Sequence, residues 1–131
     1  VKNSLATGAS TSSTHTSQVE PTQDQCQHDR LKIAIVHGGA ASPGMNAVVR
    51  GLVRLGANKG HKVLGVRGGF SGLLSGDIHR LRWMDVSGWV TQAGAKLRTS
   101  RRQSFTQQDF AKMIRTIAHH KIDVLVMAGG F

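Results

Sequence analysis

The stretch "LKIAIVHGGAASPGMN", Leu31 to Asn46, decides how the rest of the chain is read. It opens with a short apolar run rich in β-branched side chains and bounded by Gly38 and Gly39, the pattern of a parallel strand buried on both faces. The next segment, "AVVRGLVRLGANKG" from Ala47 to Gly60, has helical spacing. Glycines at a strand-to-helix junction let backbone N–H groups approach an anion at the positive end of the helix. The loop could thus hold a nucleotide, hold another phosphate, or be only a tight turn.

Outward from this junction the same alternation repeats. Asn46 to Asn58 sets Val49, Leu52, Val53 and Ala57 on a stripe to be buried, with Asn46, Arg50 and Arg54 at i, i+4 spacing on another face; Gly60 fits the C-cap. "HKVLGV" reads as a second strand and "RGGFSGLL" as a glycine-punctuated connection with a turn of helix. "IHRL" reads as a short edge strand and "WMDVSGWV" as a short helix whose tryptophans enter the core. Thr106 is the expected N-cap of a helix with Phe110, Met113, Ile114 and Ile117 as its apolar stripe, and "IDVLVMAGGF" is expected to be a third buried strand. The expected fold class is α/β, a Rossmann-like, doubly wound, mostly parallel sheet over residues 30–131. The chain stops directly after a strand and lacks an initiating Met, so it is read as an incomplete, truncated half-domain from a longer protein.

Residues 1–29 have a different character. They hold ten Ser or Thr, four Gln and only Val1, Leu5 and Val19 as large aliphatics, a composition that cannot offset ordering entropy by burial and reads as a disordered linker. Lys2 against Glu20, Asp24 and Asp29 gives this segment a balance of −2, which leaves +12 of the net +10 on residues 30–131. Such an excess attracts polyanions in general, nucleic acid and phosphorylated metabolites alike. The aromatics, four Phe and two Trp with no Tyr, form no RNA-binding motif, so nucleic acid is not expected as a partner. No apolar run approaches the roughly 18 residues of a membrane span and no signal peptide is visible, so no membrane partner and a cytoplasmic location are expected. Cys26, the one cysteine, reads as an ordinary thiol.

Ligands of open parallel sheets sit beyond the carboxyl ends of the strands, where "HGGAASPGMN" and "MAGGF" both lie and should be neighbours. Neither a Walker A loop nor G-x-G-x-x-G is present. The glycines Gly38, Gly39, Gly44, Gly129 and Gly130, with Asn46, are the candidate phosphate contacts of these loops. "LRTSRR" adds Arg98, Arg101 and Arg102 beside Thr99 and Ser100, fork-shaped donors and hydroxyls suited to phosphate, although a solvated basic turn fits the same residues. Arg50 and Arg54 either bind an anion or face water. His119 and His120 are adjacent on their helix and do not converge as metal ligands. Beyond Asp29 the acids are Asp77, Asp85, Asp109 and Asp123, none at a glycine-rich strand end where it could hold Mg²⁺.

The order "GGAASPGMNAVVR", "GHKVLGVRGGFSGL", "VSGWVTQAGAKLRTSR", "IDVLVMAGGF" resembles the ATP-dependent 6-phosphofructokinase family over residues 31–131. The resemblance implies a parent enzyme that transfers the γ-phosphoryl group of ATP to fructose 6-phosphate with Mg²⁺ and an acidic residue of a "GGDGS" motif. Three departures stand out. Ala40 replaces an Asp in a loop one residue longer, Arg98 stands where "LGTSR" has glycine, and Phe131 stands where the metal-associated Asp would be.

These departures are similar to those of the second, regulatory half of the duplicated animal-type enzyme. That resemblance implies no catalytic residue and no metal in this segment, and an inherited sugar pocket that takes the activator fructose 2,6-bisphosphate. Arg101 matches the arginine that contributes to this pocket, and Arg50 and Arg54 match helix arginines that hold effector phosphates in bacterial relatives. Arg98 either crowds the pocket or adds a donor. The implied partners are a sugar-phosphate effector, the catalytic half of the same chain, and further copies in a homo-oligomer, a tetramer by family resemblance. Competing expectations are a catalytically dead, truncated gene product acting as an interaction module, and a basic nucleic-acid binder whose affinity falls steeply with salt.

Overall fold

A computed structural model of the chain describes residues 30–101 and 104–130. The expected linker 1–29, with Cys26, and the positions Arg102 and Phe131 lie outside the described residues. Strand β1 (Lys32–Gly39) runs the full length of the apolar stretch and through both glycines of the loop. Helix α1 (Met45–Asn58) follows, then β2 (Lys62–Val66), the short helix α2 (Gly69–Ser75), β3 (Ile78–Leu81), a 3₁₀ turn at Trp89–Thr91, helix α3 (Gln107–His120) and β4 (Val124–Gly130).

The sheet order is β3-β2-β1-β4, with β1 parallel to both β2 and β4 and with β3 antiparallel on the edge. Helices cover both faces. On one, Val49 and Val53 of α1 meet Ile35 of β1 and Val63 of β2, together with Val86, Trp89 and Leu97. On the other, Leu73 of α2 and Met113 of α3 meet Ala34, Val36 and Val66. Alternate residues of β1 thus feed two cores, as expected of a doubly wound, mostly parallel α/β sheet that remains open.

The helix ends follow their sequence signals. Gly60, at φ 78°, donates to the Ala57 carbonyl at 3.0 Å, and His61 donates to Gly56 at 2.8 Å, the paired bonds of a left-handed glycine cap. Thr106 accepts from the Asp109 backbone at 3.2 Å while Asp109 accepts from the Thr106 backbone at 2.9 Å, a complete capping box for α3.

Five expectations of burial or form are corrected. Ala57 is exposed and Gly56 is buried in its place, because α1 lies so close to β2 that a β-carbon on Gly56 would meet a Val63 methyl at 2.8 Å. "WMDVSGWV" forms turns and then the 3₁₀ turn rather than one helix. Asp85 accepts from the Arg82 backbone at 2.7 Å and Gly88 takes φ 75°, and both break helical continuity. Trp89 is buried but Trp83 stays 39% exposed. On α3 only Met113 of the expected stripe is fully inside, with Ile114 65% exposed. β4, read as a buried strand, leaves Met127 55% exposed, because among the described residues only β1 pairs with it.

Candidate functional site

The pairing of β1 with β4 places Gly38 opposite Gly129 and Gly39 opposite Gly130, so the two glycine loops are neighbours, as their strand-end positions require. The approach is close enough to demand glycine: a β-carbon on Gly39, where φ is +76°, would overlap the Gly130 carbonyl, and one on Gly129 would overlap that of Gly38. On the other side of β1 the segment 97–100 continues the sheet past the end of β2. Leu97 accepts from the Gly68 backbone at 2.7 Å and Ser100 forms a parallel bridge with Gly38. Gly69 is wedged beneath it, since a β-carbon there would meet the His37 carbonyl at 2.6 Å and the Ser100 nitrogen at 2.7 Å. The Ser71 and Ser100 hydroxyls are 2.9 Å apart.

Gly38, Gly39, Ser100, Gly129 and Gly130 thus converge at one strand end, with half-buried Thr99 and exposed Arg101 flanking Ser100 in sequence. Arg98 holds a left-handed backbone at φ 59°, a conformation that disfavours any side chain with a β-carbon. Its side chain is exposed.

The remaining predicted contacts go elsewhere. Gly44, at φ 87°, is the N-cap of α1 and provides no side-chain cap. Asn46 is buried, not on the polar face with the arginines, and its amide is used internally. Its Nδ2 donates to the Gln92 carbonyl at 2.8 Å and its Oδ1 accepts from the Lys96 backbone at 2.8 Å, tying the start of α1 to the 92–96 loop. A cleft of about 360 Å³ opens between Ala41–Gly44 and Val90–Gly94. Arg50 and Arg54 lie half-buried one turn apart on α1, the Nε of each buried without a hydrogen-bond partner among the described residues. The Arg54 guanidinium lies 4.4 Å from the Trp83 ring centroid, a partner that the sequence pattern did not reveal.

His37 was also missed. Its ring is fully buried beside the loop, and neither nitrogen has a hydrogen-bond partner among the described residues. Loss of solvation pushes its pKa below the ordinary 6.5, and the nearby Arg98 backbone, outside hydrogen-bond geometry, offsets part of that shift. A histidine at the end of an apolar run was the available signal.

Every acid among the described residues already has a partner within the fold. Asp109 caps α3, Asp85 holds the Arg82 turn, Asp123 accepts from the Lys32 backbone at 2.7 Å, and Asp77 pairs with His79 at 2.5 Å. None is free at the glycine-lined strand end, and no group of three His, Cys, Asp or Glu among the described residues could hold a metal ion. Among the described residues, glycines, the Thr99 and Ser100 hydroxyls and the exposed Arg98 and Arg101 stand at this strand end, and no acid does.

The sequence profile of the phosphofructokinase family matches residues 32–131. The ATP-dependent 6-phosphofructokinase subunit alpha of Candida albicans is 42% identical over 102 residues, covering 78% of this chain and 10% of that protein. The ATP-dependent 6-phosphofructokinase of Schistosoma mansoni is 43% identical over 103 residues, covering 79% of this chain and 13% of its own length. Among solved structures, Pichia pastoris phosphofructokinase in the T-state superposes with a TM-score of 0.74 at 35% identity, over 78% of this chain and 11% of that one. This chain thus spans about a tenth of the length of these relatives. No helix among the described residues is long and apolar enough to cross a membrane. With the glycine-lined strand end in place, these likenesses identify the chain as a member of the phosphofructokinase family.

Proposed function

We propose that this chain is part of an ATP-dependent 6-phosphofructokinase and that residues 30–130 serve its regulatory half, binding fructose 2,6-bisphosphate at the glycine-lined strand end. The observation that carries this reading is the commitment of all four described acids elsewhere. Phosphoryl transfer from ATP needs metal and positioned negative ligands, whereas capture of a sugar phosphate needs only donors and cations. Gly38, Gly39, Gly129 and Gly130 admit close approach by the ligand, the Thr99 and Ser100 hydroxyls flank it, and the Arg101 guanidinium forks onto its phosphate. Arg50 and Arg54, with unpartnered Nε groups, form a second anion contact on α1. ATP and Mg²⁺ act at the catalytic half of the parent, in a cytoplasmic homo-oligomer.

An activator shifts such an enzyme by the difference between its affinities for the active and inactive states, and by no more. The test is calorimetric titration of the full-length protein with fructose 2,6-bisphosphate, comparing wild type with Arg101→Ala. Loss of a charge-assisted hydrogen bond should weaken binding about tenfold or more. Unchanged affinity discards the Arg101 assignment. Absence of binding by the wild type favours a non-enzymatic interaction module instead.

A further inference from the structure

Away from the strand-end loops, a cavity of about 340 Å³ opens at the β2–β3 edge, on the α1 face of the sheet. Its floor is apolar, made by Leu81, Trp89 and Leu97, and the two leucines pack closely onto Gly65. A β-carbon there would meet Leu81 and Leu97 methyl groups at 2.8 Å each. Its rim is cationic. Arg67, Arg80 and Lys96 line it, and among the described residues none of them has a carboxylate within 4.0 Å.

The backbone of the rim is held at Arg67 and Lys96, while the side chains of Arg67, Arg80 and Lys96 are exposed. The Arg67 backbone donates to the Asp77 carbonyl at 3.0 Å, and the next residue, Gly68, donates to Leu97 at 2.7 Å. The Lys96 backbone is fixed by the buried Asn46 at 2.8 Å, and its ammonium lies 5.5 Å from the Trp89 ring centroid. Two negative groups lie near. Asp85 lines the cavity with one oxygen taken by the Arg82 backbone, and Asp77 holds His79 at the cavity edge. Three exposed cations against the Asp85 carboxylate and the His79-paired Asp77 leave a hollow with a positive rim, which concentrates multiply charged anions.

We propose that this cavity is a second anion site that binds a small phosphomonoester metabolite. Arg67 and Arg80 approach the phosphate oxygens with their planar forks, Lys96 adds a point charge, and the carbon body rests on Leu81 and Leu97. Stacking of an aromatic base is not part of the assignment, because Trp89 is buried and Lys96 stands over its ring. The site shares none of Gly38, Ser100 or Arg101 with the strand-end pocket, so it stands or falls independently of the function proposed above.

Trp89 lines the cavity and supplies the readout. In a Trp83→Phe background of the full chain, its fluorescence is followed during titration with glycerol 3-phosphate and, separately, with inorganic phosphate, at constant ionic strength set with chloride. Saturable binding with glycerol 3-phosphate tighter than phosphate, weakened about tenfold or more by Arg67→Ala and by Lys96→Ala but not by Arg101→Ala, is the expected result. Arg67→Lys, which retains charge and backbone, should recover part of the affinity and exclude misfolding as the cause. Equal affinity in Arg67→Ala, a response reproduced by chloride alone, phosphate binding as tightly as the ester, or loss in Arg101→Ala would each overturn the proposal.

Discussion

Gly39 and Gly130 face each other across the β1–β4 ladder so closely that a β-carbon on Gly39 would occupy the space of the Gly130 carbonyl oxygen. The backbone of Gly39 also holds φ +76°, where a side chain is strained whatever the space. Gly39→Ala should therefore destabilise the full chain by about 2 kcal/mol or more, read as a lower urea midpoint. Gly51→Ala is the matched control. Gly51 is exposed within α1, and nothing lies within 4 Å of its would-be β-carbon, so this change should stabilise by about 0.5–1 kcal/mol.

Asn46 joins α1 to the 92–96 loop through two 2.8 Å hydrogen bonds from a buried amide. Asn46→Ala leaves the Gln92 carbonyl and the Lys96 N–H without these partners and should cost about 2–3 kcal/mol. Hydrogen exchange at the Lys96 amide should accelerate more than exchange in β1, and equal protection at Lys96 would contradict the bridge.

The buried His37 ring gives the chain a pH dependence of definite sign. Its folded pKa lies below the ordinary 6.5, so as pH falls through that value the unfolded chain takes up a proton that the folded chain refuses. Stability from this group is complete above pH 6.5 and declines below it, with a slope of at most about 1.4 kcal/mol per pH unit. Urea unfolding at pH 7.5 and 5.5 measures the slope, and His37→Asn should reduce it even though the substitution itself lowers stability at both values.

The Thr106–Asp109 box satisfies two backbone donors with two side chains. Thr106→Ala and Asp109→Ala should each lower stability by about 1 kcal/mol, and the double variant by less than their sum, because each partner needs the other. A strictly additive double mutant would refute reciprocal capping.

Much of this fold could be read locally. The left-handed cap at Gly60 and the box at Thr106 depend on residues within a few positions, and both formed as their spacing indicates. The meeting of the glycine loops also followed, because strand-end position in a parallel sheet fixes it. Burial that depends on distant neighbours was less legible. The apolar pattern of β4 fits a strand covered on both faces, but covering depends on which elements stand beside it, and only β1 pairs with it here. Asn46, spaced with Arg50 and Arg54, parts from them because a loop nearly fifty residues later accepts and donates to its amide. Arg98 shows the opposite case: its replacement of a glycine reads as a chemical change, yet the chain retains the left-handed backbone that glycine would serve.

The β1–β4 ladder also sets the order of events during folding. Lys32 and Asp123, bonded at 2.7 Å, are 91 residues apart in the chain, the same separation as Gly39 and Gly130. A pairing so remote in sequence pays a large loop-closure entropy before its contacts form, so it is slow relative to local helix and hairpin steps. The meeting of the two glycine loops is thus a late product of folding. A nascent or refolding chain would hold α1, β2 and β3 together before its two glycine loops met.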